Sequence, residues 1–430
     1  MEIIYPRNRP SHCYSWIRNL HILKIERMNQ LRQHHFDSLR GIASVSVLMA
    51  HYLAAFYPYT IFGSRGGYPQ REAWESIIFT PPFGSLVGGP LSVWLFFMLS
   101  GYVLSYGYLG EPIRVRKLLD AIIRRPIRLG GIVLFTILLS SILWGSHLYF
   151  NDLVADLSHS KPWFASYWQG EVQLSGLLVD VITAMFKKAE LYNPPFWTIR
   201  IELYGSILTF ILMLAIGRLR YRLLLFFAVF LTLWTTESEF ARCSGLILGV
   251  IIADLVKNHN LIIRLRARRI FSFILLLTFL LFCYCDRLSD DRFTQMTVYR
   301  FVPKDSELGL YSLLAALALF LLVIIDDRLK AFLQHPFFQF LGKISYSLYA
   351  IHFLILGSIS SWLFLKISPY LPYQLSFLLV FLWSAPIIVI TSIWMTKYID
   401  EPSIKAAAYV SKRVIEIGEK AIVPITHPKK

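Results

Sequence analysis

Arg40 and His51 are the first residues whose types and spacing could do chemistry. Both lie in FDSLRGIASVSVLMAHYLAAFYP, residues 36–58, which is almost wholly apolar between Arg40 and Pro58. His51 comes eleven positions after Arg40. At about 100° per residue, an α-helix returns to within roughly 20° of the same face over that interval. Ser44 and Val47 fall on the face between them. The rise is about 16 Å, so an arginine at the membrane boundary places the histidine near the bilayer midplane. An ionisable group at that depth is expensive and usually faces a polar path or cavity. A neutral imidazole there offers a nitrogen lone pair as a base. The plain alternative is a histidine that only hydrogen-bonds a neighbouring helix.

Other polar residues sit in apolar surroundings. His352, in LGKISYSLYAIH, is nine positions past Lys343. The helical rise puts it about 13 Å into the membrane, near the depth of His51. Glu202 lies in PPFWTIRIELYGS, just inside the outer boundary. Arg200 is two residues away and cannot pair with it on one helix face, so each needs a partner elsewhere. Glu202 could orient a histidine or activate a hydroxyl, or belong to a structural ion pair. WLFFMLSGYVLSY carries Ser100-Gly101-Tyr102, where Gly101 would let a helix approach closely. In IIRRPIRLGG, Arg125 and Arg128 are three apart and could grip phosphate oxygens. Anchoring at a cytoplasmic boundary explains most arginines of this kind. Cys13, Cys243, Cys283 and Cys285 match no metal-ligand spacing, so no metal is expected, and no nucleotide-binding loop is present.

The elements that carry these residues are membrane spans. Of 430 residues, 56% are hydrophobic and 16% charged, with mean hydropathy +0.53. A soluble domain would carry about a quarter charged residues. Apolar blocks at 41–58, 88–109, 129–149, 198–217, 221–236, 241–256, 270–286, 308–325, 344–365 and 375–398 predict an all-α polytopic membrane protein with about ten transmembrane helices. Arg and Lys crowd the loops after the second, fourth, sixth and eighth spans and the tail after the tenth. Positive residues favour the cytoplasm, so both termini are expected there. The same placement explains the net charge of +16 without nucleic acid. Residues 1–35 read as a basic cytoplasmic segment without a signal peptide, with Met28 an alternative start; 403–430 read as a basic cytoplasmic tail. The loop from about 150 to 197, rich in Trp, Tyr and acidic residues, includes an amphipathic piece, LSGLLVDVITAMFKK, and could cover an opening.

In this order, FDSLRGIASVSVLMAH, FFMLSGYVLS, RPIR, FWTIRIEL, LGKISYSLYAIH and YIDEP resemble the integral-membrane acyltransferase family 3. That family includes O-acetyltransferases of bacterial surface glycans and nodulation factors. The resemblance covers residues 36–402, the expected transmembrane acyltransferase domain. It implies that acyl-CoA, most simply acetyl-CoA, is a donor substrate reaching the site from the cytoplasm, with no tightly bound cofactor. Arg125 and Arg128 would hold its phosphates and Arg40 would guide it inward. His51 would be the catalytic base or a transient acyl carrier, with Glu202 and His352 beside it. Ser100 and Tyr346 also match motif positions. The acceptor would be a hydroxyl of a glycan or lipid-linked glycan, and the protein would sit in the plasma (inner) membrane. The short tail leads us to expect no fused extracytoplasmic esterase-like domain, so any second transfer would need a separate partner. FWTIRIEL also carries a single glutamate where many relatives have a more elaborate motif. On residues alone, a proton-coupled transporter or flippase using the same histidines and glutamate is the rival, although no inverted repeat is visible.

Overall fold

The computed structural model describes residues 11–63, 67–80, 83–110, 115–172, 179, 183, 185–186, 189–259, 265, 269–283, 295–303 and 309–422, with side chains except at 11–33, 85 and 420–422. Most of LSGLLVDVITAMFKK, much of the loop after the sixth expected span, Cys285 and the last eight residues lie outside the described residues. The long helices are α1 (Ser11–Phe56), α2 (Gly89–Tyr106), α3 (Val115–Gly145), α4 (Trp197–Ile216), α5 (Arg222–Trp234), α6 (Ser244–Asn258), α7 (Arg269–Phe282), α8 (Leu310–Ile325), α9 (Pro336–Ile355) and α10 (Tyr373–Met395). A π-helical turn at Leu356–Ser360 carries α9 into Ser361–Ile367, and a second at Thr396–Asp400 carries α10 into Glu401–Ile422. No strand occurs among the described residues.

The chain is an all-α polytopic membrane protein. Six helices are long and apolar enough to cross a membrane, or seven if α8 and Asp327–Leu333, bent by 94°, count as one span. Each of the ten expected segments falls on a helix, but some of those helices are shorter than a crossing. With 13 and 14 residues, α5 and α7 reach only about 20 Å against a hydrocarbon core of about 30 Å. The other departure is in the opposite direction. The third segment was expected from 129, yet α3 begins at Val115 and runs through Pro126. Its amphipathic first half pairs with the Glu401–Ile422 extension: Ser411 donates to the Asp120 carboxylate at 2.7 Å and Arg116 pairs with Glu419 at 3.3 Å.

Glycines set the closest crossings. A Cβ on Gly41 would lie 2.4 Å from the Gly342 nitrogen, so α1 and α9 touch backbone to backbone. A Cβ on Gly101 would fall 1.9 Å from the Leu246 carbonyl oxygen and one on Gly249 2.1 Å from that of Met98, which fixes α2 against α6. Close approach of this kind holds helices together where hydrocarbon surrounds them and burial in water is no driving force. Interhelical hydrogen bonds add to it, as in the chain Tyr52–Ser360–Ser384 at 2.8 and 2.7 Å. On the periphery, the fully buried Asp254 of α6 accepts from Arg222 at 3.0 Å and Asn258 at 2.6 Å, tying the short α5 to the bundle.

Two large apolar clusters result, beside a small third of Phe79, Tyr299 and Tyr311. One gathers α3, α9 and α10; the other gathers α2, α5, α6 and α8, and α1 contributes to both. Helices α1, α3 and α9 run in one sense and α10 returns antiparallel, so the start of α1 and the end of the α10 extension share one end of the bundle. Arg40 lies toward that end and His51 toward the other. Over the His51 end sits an aromatic cap of short helices, Asn151–Ser158 and Lys161–Phe164, followed by Trp168. Trp168 stacks on Tyr149 with centroids 3.7 Å apart, donates to the Tyr192 carbonyl at 3.1 Å, and occupies space that only a glycine at 357 leaves.

Candidate active site

A cavity of about 240 Å³ opens at the seam of the two clusters, walled by α1, α2, α3, α4 and α9. Its polar half is lined by Arg40, Arg125, Arg128, Glu202, Ser100 and Tyr346. Six of the eight residues singled out from sequence therefore share one wall system, although they come from five different helices. The rest of the lining is largely apolar and includes Val93, Phe96, Phe97 and Ile199, and Tyr349 is its last residue along α9, three positions before His352. The volume lies below the range of roughly 300–1,000 Å³ that encloses a drug-sized ligand, so it suits a slender chain rather than a nucleotide.

Glu202 organises the polar half. Arg125 Nη2 donates to Glu202 Oε1 at 2.5 Å, and Ser100 Oγ donates to the same oxygen at 3.0 Å. Arg125 Nε donates to Ser206 Oγ at 3.0 Å, and that hydroxyl donates to the Glu202 carbonyl at 2.5 Å. Side-chain exposures of 11% for Arg125 and 21% for Glu202 put the pair inside the protein. Of the alternatives open for Glu202, the geometry shows the ion pair and a contact with a hydroxyl: among the described residues its side chain meets Arg125 and Ser100. Arg125 and Arg128 both line the cavity, and the charge of Arg125 is met by this carboxylate from α4. Arg200 turns the other way, to Glu239 and Glu190. That leaves Arg128, which lines the cavity without an ion pair among the described residues, and Arg40, paired at 3.2 Å with the half-exposed Asp37. Tyr346 donates its phenol to the Leu129 carbonyl at 2.8 Å.

His51 does not line this cavity. It lies past Tyr349, hydrogen-bonded to His352 with Nδ1···Nε2 at 2.8 Å and the two rings within 3° of coplanar. The expectation that the two histidines reach the same depth is met by this direct bond. The second nitrogen of His352 fixes the proton positions. His352 Nδ1 lies 3.1 Å from the Leu348 carbonyl oxygen, which can only accept, so Nδ1 carries the hydrogen. In a neutral ring Nε2 is then an acceptor and His51 Nδ1 must donate to it. The lone pair of His51 is thereby assigned to Nε2. His352 is fully buried, whereas His51 keeps partial exposure beneath the cap, with Trp163 stacked at 5.9 Å and Phe353 edge-on at 5.0 Å. Nearby, burial pushes the Tyr167 hydroxyl up to about 12, so it stays protonated at neutral pH.

Three participants were not singled out from sequence. Tyr349 had a signal, since Tyr346, Tyr349 and His352 recur at three-residue steps on one helix face. Ser206 had a weaker one, one turn after Glu202. Trp163 had none beyond the aromatic richness of its loop, because its contact with His51 bridges residues 112 positions apart.

The class of protein follows from fold and family together. The acyltransferase 3 family, described as an acyltransferase domain, matches residues 33–397, which takes in every element around the cavity and the histidine pair. The chain belongs to that family and is a membrane acyltransferase. Among curated proteins and among solved structures, no match is found.

Proposed function

We propose that the protein is an O-acyltransferase of the plasma (inner) membrane, moving an acyl group, most simply acetyl, from acyl-CoA to a hydroxyl of a glycan or lipid-linked glycan. The observation that carries the reading is the directed pair of histidines. It leaves one lone pair, on His51 Nε2, beside a cavity with arginines at its far end. The donor's phosphates meet Arg40 and Arg128 at the boundary and its slender thioester arm enters the cavity. At His51, Nε2 takes the proton of the acceptor hydroxyl as the oxygen bonds to the thioester carbonyl carbon. The carbon–sulfur bond then breaks and the thiolate recovers the proton from His51. The same lone pair could instead take the acyl group and pass it on. His352 holds the tautomer in either route. Acceptors approach under the cap, where the exposed edge of His51 meets Trp163.

Purified protein in nanodiscs, supplied with acetyl-CoA and a mixed glycan extract, should release free thiol in an acceptor-dependent way. Folded His51→Ala should lose that release by roughly 10²–10⁴-fold, the usual contribution of a general base. Undiminished release by the variant would remove His51 from the chemistry. A single-turnover experiment with labelled acetyl-CoA and no acceptor separates the two routes, because only an acyl-histidine leaves label on the protein.

A further inference from the structure

Tyr349 borders both the cavity and the histidine pair. On α9 it lies midway between Tyr346, which lines the polar half, and His352; each interval is three residues, about 4.5 Å of rise. Phe96 meets its ring edge-on from the cavity side with centroids 5.7 Å apart, and the His352 ring lies 5.9 Å from it. The phenol is anchored, donating to the Pro195 carbonyl at 2.9 Å and lying 2.8 Å from Thr198 Oγ1. Thr198 Oγ1 itself donates to Pro195 at 3.0 Å. The ring is 6% exposed. It therefore lines the cavity beside the apolar residues, and its position is fixed by hydrogen bonds to the segment that opens α4 rather than by packing alone.

We propose that Tyr349 is the specificity-determining residue that limits which acyl groups reach His51. This rests on the acyl-CoA reading given above. A thioester arm entering from the arginine end meets Val93, Phe96 and Ile199 and stops at this ring. To bring its carbonyl to the histidine pair, the ring must turn, and a turned ring takes up space in the same apolar half. A two-carbon group tolerates that loss of room; a six- or eight-carbon chain does not. The anchors to Pro195 and Thr198 hold the ring closed until the donor's carbonyl displaces it, which keeps water on the acceptor side away from a thioester still waiting in the cavity.

The test compares acetyl-CoA with octanoyl-CoA as donors to the full-length protein in nanodiscs, with and without the glycan extract. Wild type should favour acetyl. Tyr349→Ala should move the ratio of kcat/KM toward octanoyl by about 10-fold or more, since even one methylene in an apolar pocket is worth roughly that much. It should also raise thioester hydrolysis without acceptor. Tyr349→Phe keeps the ring but loses its anchors, so it should raise hydrolysis while leaving the chain-length ratio near wild type. If the alanine variant misfolds, Tyr349→Leu serves for the same comparison. Wild type that accepts octanoyl as readily as acetyl overturns the assignment, as does a folded variant with an unmoved ratio. Wild type that cleaves neither thioester overturns the acyl-CoA reading, and this assignment with it.

Discussion

Two neutral histidines cannot both donate across one hydrogen bond, and that constraint gives His352 its task. With Nδ1 committed to the Leu348 carbonyl, it presents only an acceptor to His51. His352→Phe keeps an aromatic of similar size and deletes the acceptor, so turnover should fall by about 10²-fold or more while the KM for donor stays near wild type. Steady-state kinetics of folded protein check this, and a KM effect alone would make His352 part of the binding wall. The Arg125–Glu202 pair makes a different prediction. Glu202→Gln leaves a buried guanidinium without its counter-charge, a defect worth roughly 3–5 kcal/mol. Thermal unfolding in detergent should drop accordingly, and Arg125→Met added to Glu202→Gln should restore much of the loss. A double variant no more stable than the single one would mean that the arginine, not the charge balance, holds the site. Sequence made each of these polar residues conspicuous against its apolar helix. It could not pair them, because 77 positions separate Arg125 from Glu202 and 301 separate His51 from His352.

At the scale of helices, the existence and type of each long apolar helix could be read from apolar runs, while lengths could not. The run 221–236 is apolar except for Arg222 and three threonines, yet the chain turns at Thr235 and only Arg222–Trp234 is helical. Conversely, VRKLLDAIIRRPIR has too many charges to be counted as a span, and it is helical because it packs on the α10 extension. Both outcomes depend on neighbours that a window of sequence does not contain. Glycines are where helix pairing was partly legible. Gly101 could be read as a place for close approach, and the Leu246 carbonyl occupies the position its Cβ would take. Gly101→Ala forces α2 and α6 apart and should cost about 1–3 kcal/mol. Gly418→Ala, in the helical extension with nothing within 4 Å of the added carbon, should instead stabilise by roughly 0.5–1 kcal/mol. Opposite shifts of the unfolding temperature would separate packing from propensity; equal shifts would refute the close crossing.

The whole molecule is built around two ends. The cationic end of the cavity and the histidine pair belong to one seam, and α3 spans the distance: Asp120 meets the α10 extension, whereas Ser140 donates to Tyr192 beneath the aromatic cap. Twenty residues of helix cover about 30 Å, one hydrocarbon thickness. On the proposed reading, this length lets a donor with charged phosphates and a bulky glycan acceptor approach from opposite sides and meet at one imidazole. The expected orientation rests on the basic loops, which sequence shows directly; that α1, α3 and α9 share one course is seen only in the structure. Single cysteines placed in a cysteine-free background test it. Ser166→Cys, exposed in the cap, should react with a membrane-impermeant maleimide in intact cells. Lys412→Cys, exposed on the α10 extension, should react only after permeabilisation. Reversed labelling would put the arginine end outside and exclude a cytoplasmic acyl-CoA as donor. Labelling of both sites from one side would break the two-ended architecture itself, and with it the proposal that donor and acceptor reach His51 from opposite sides.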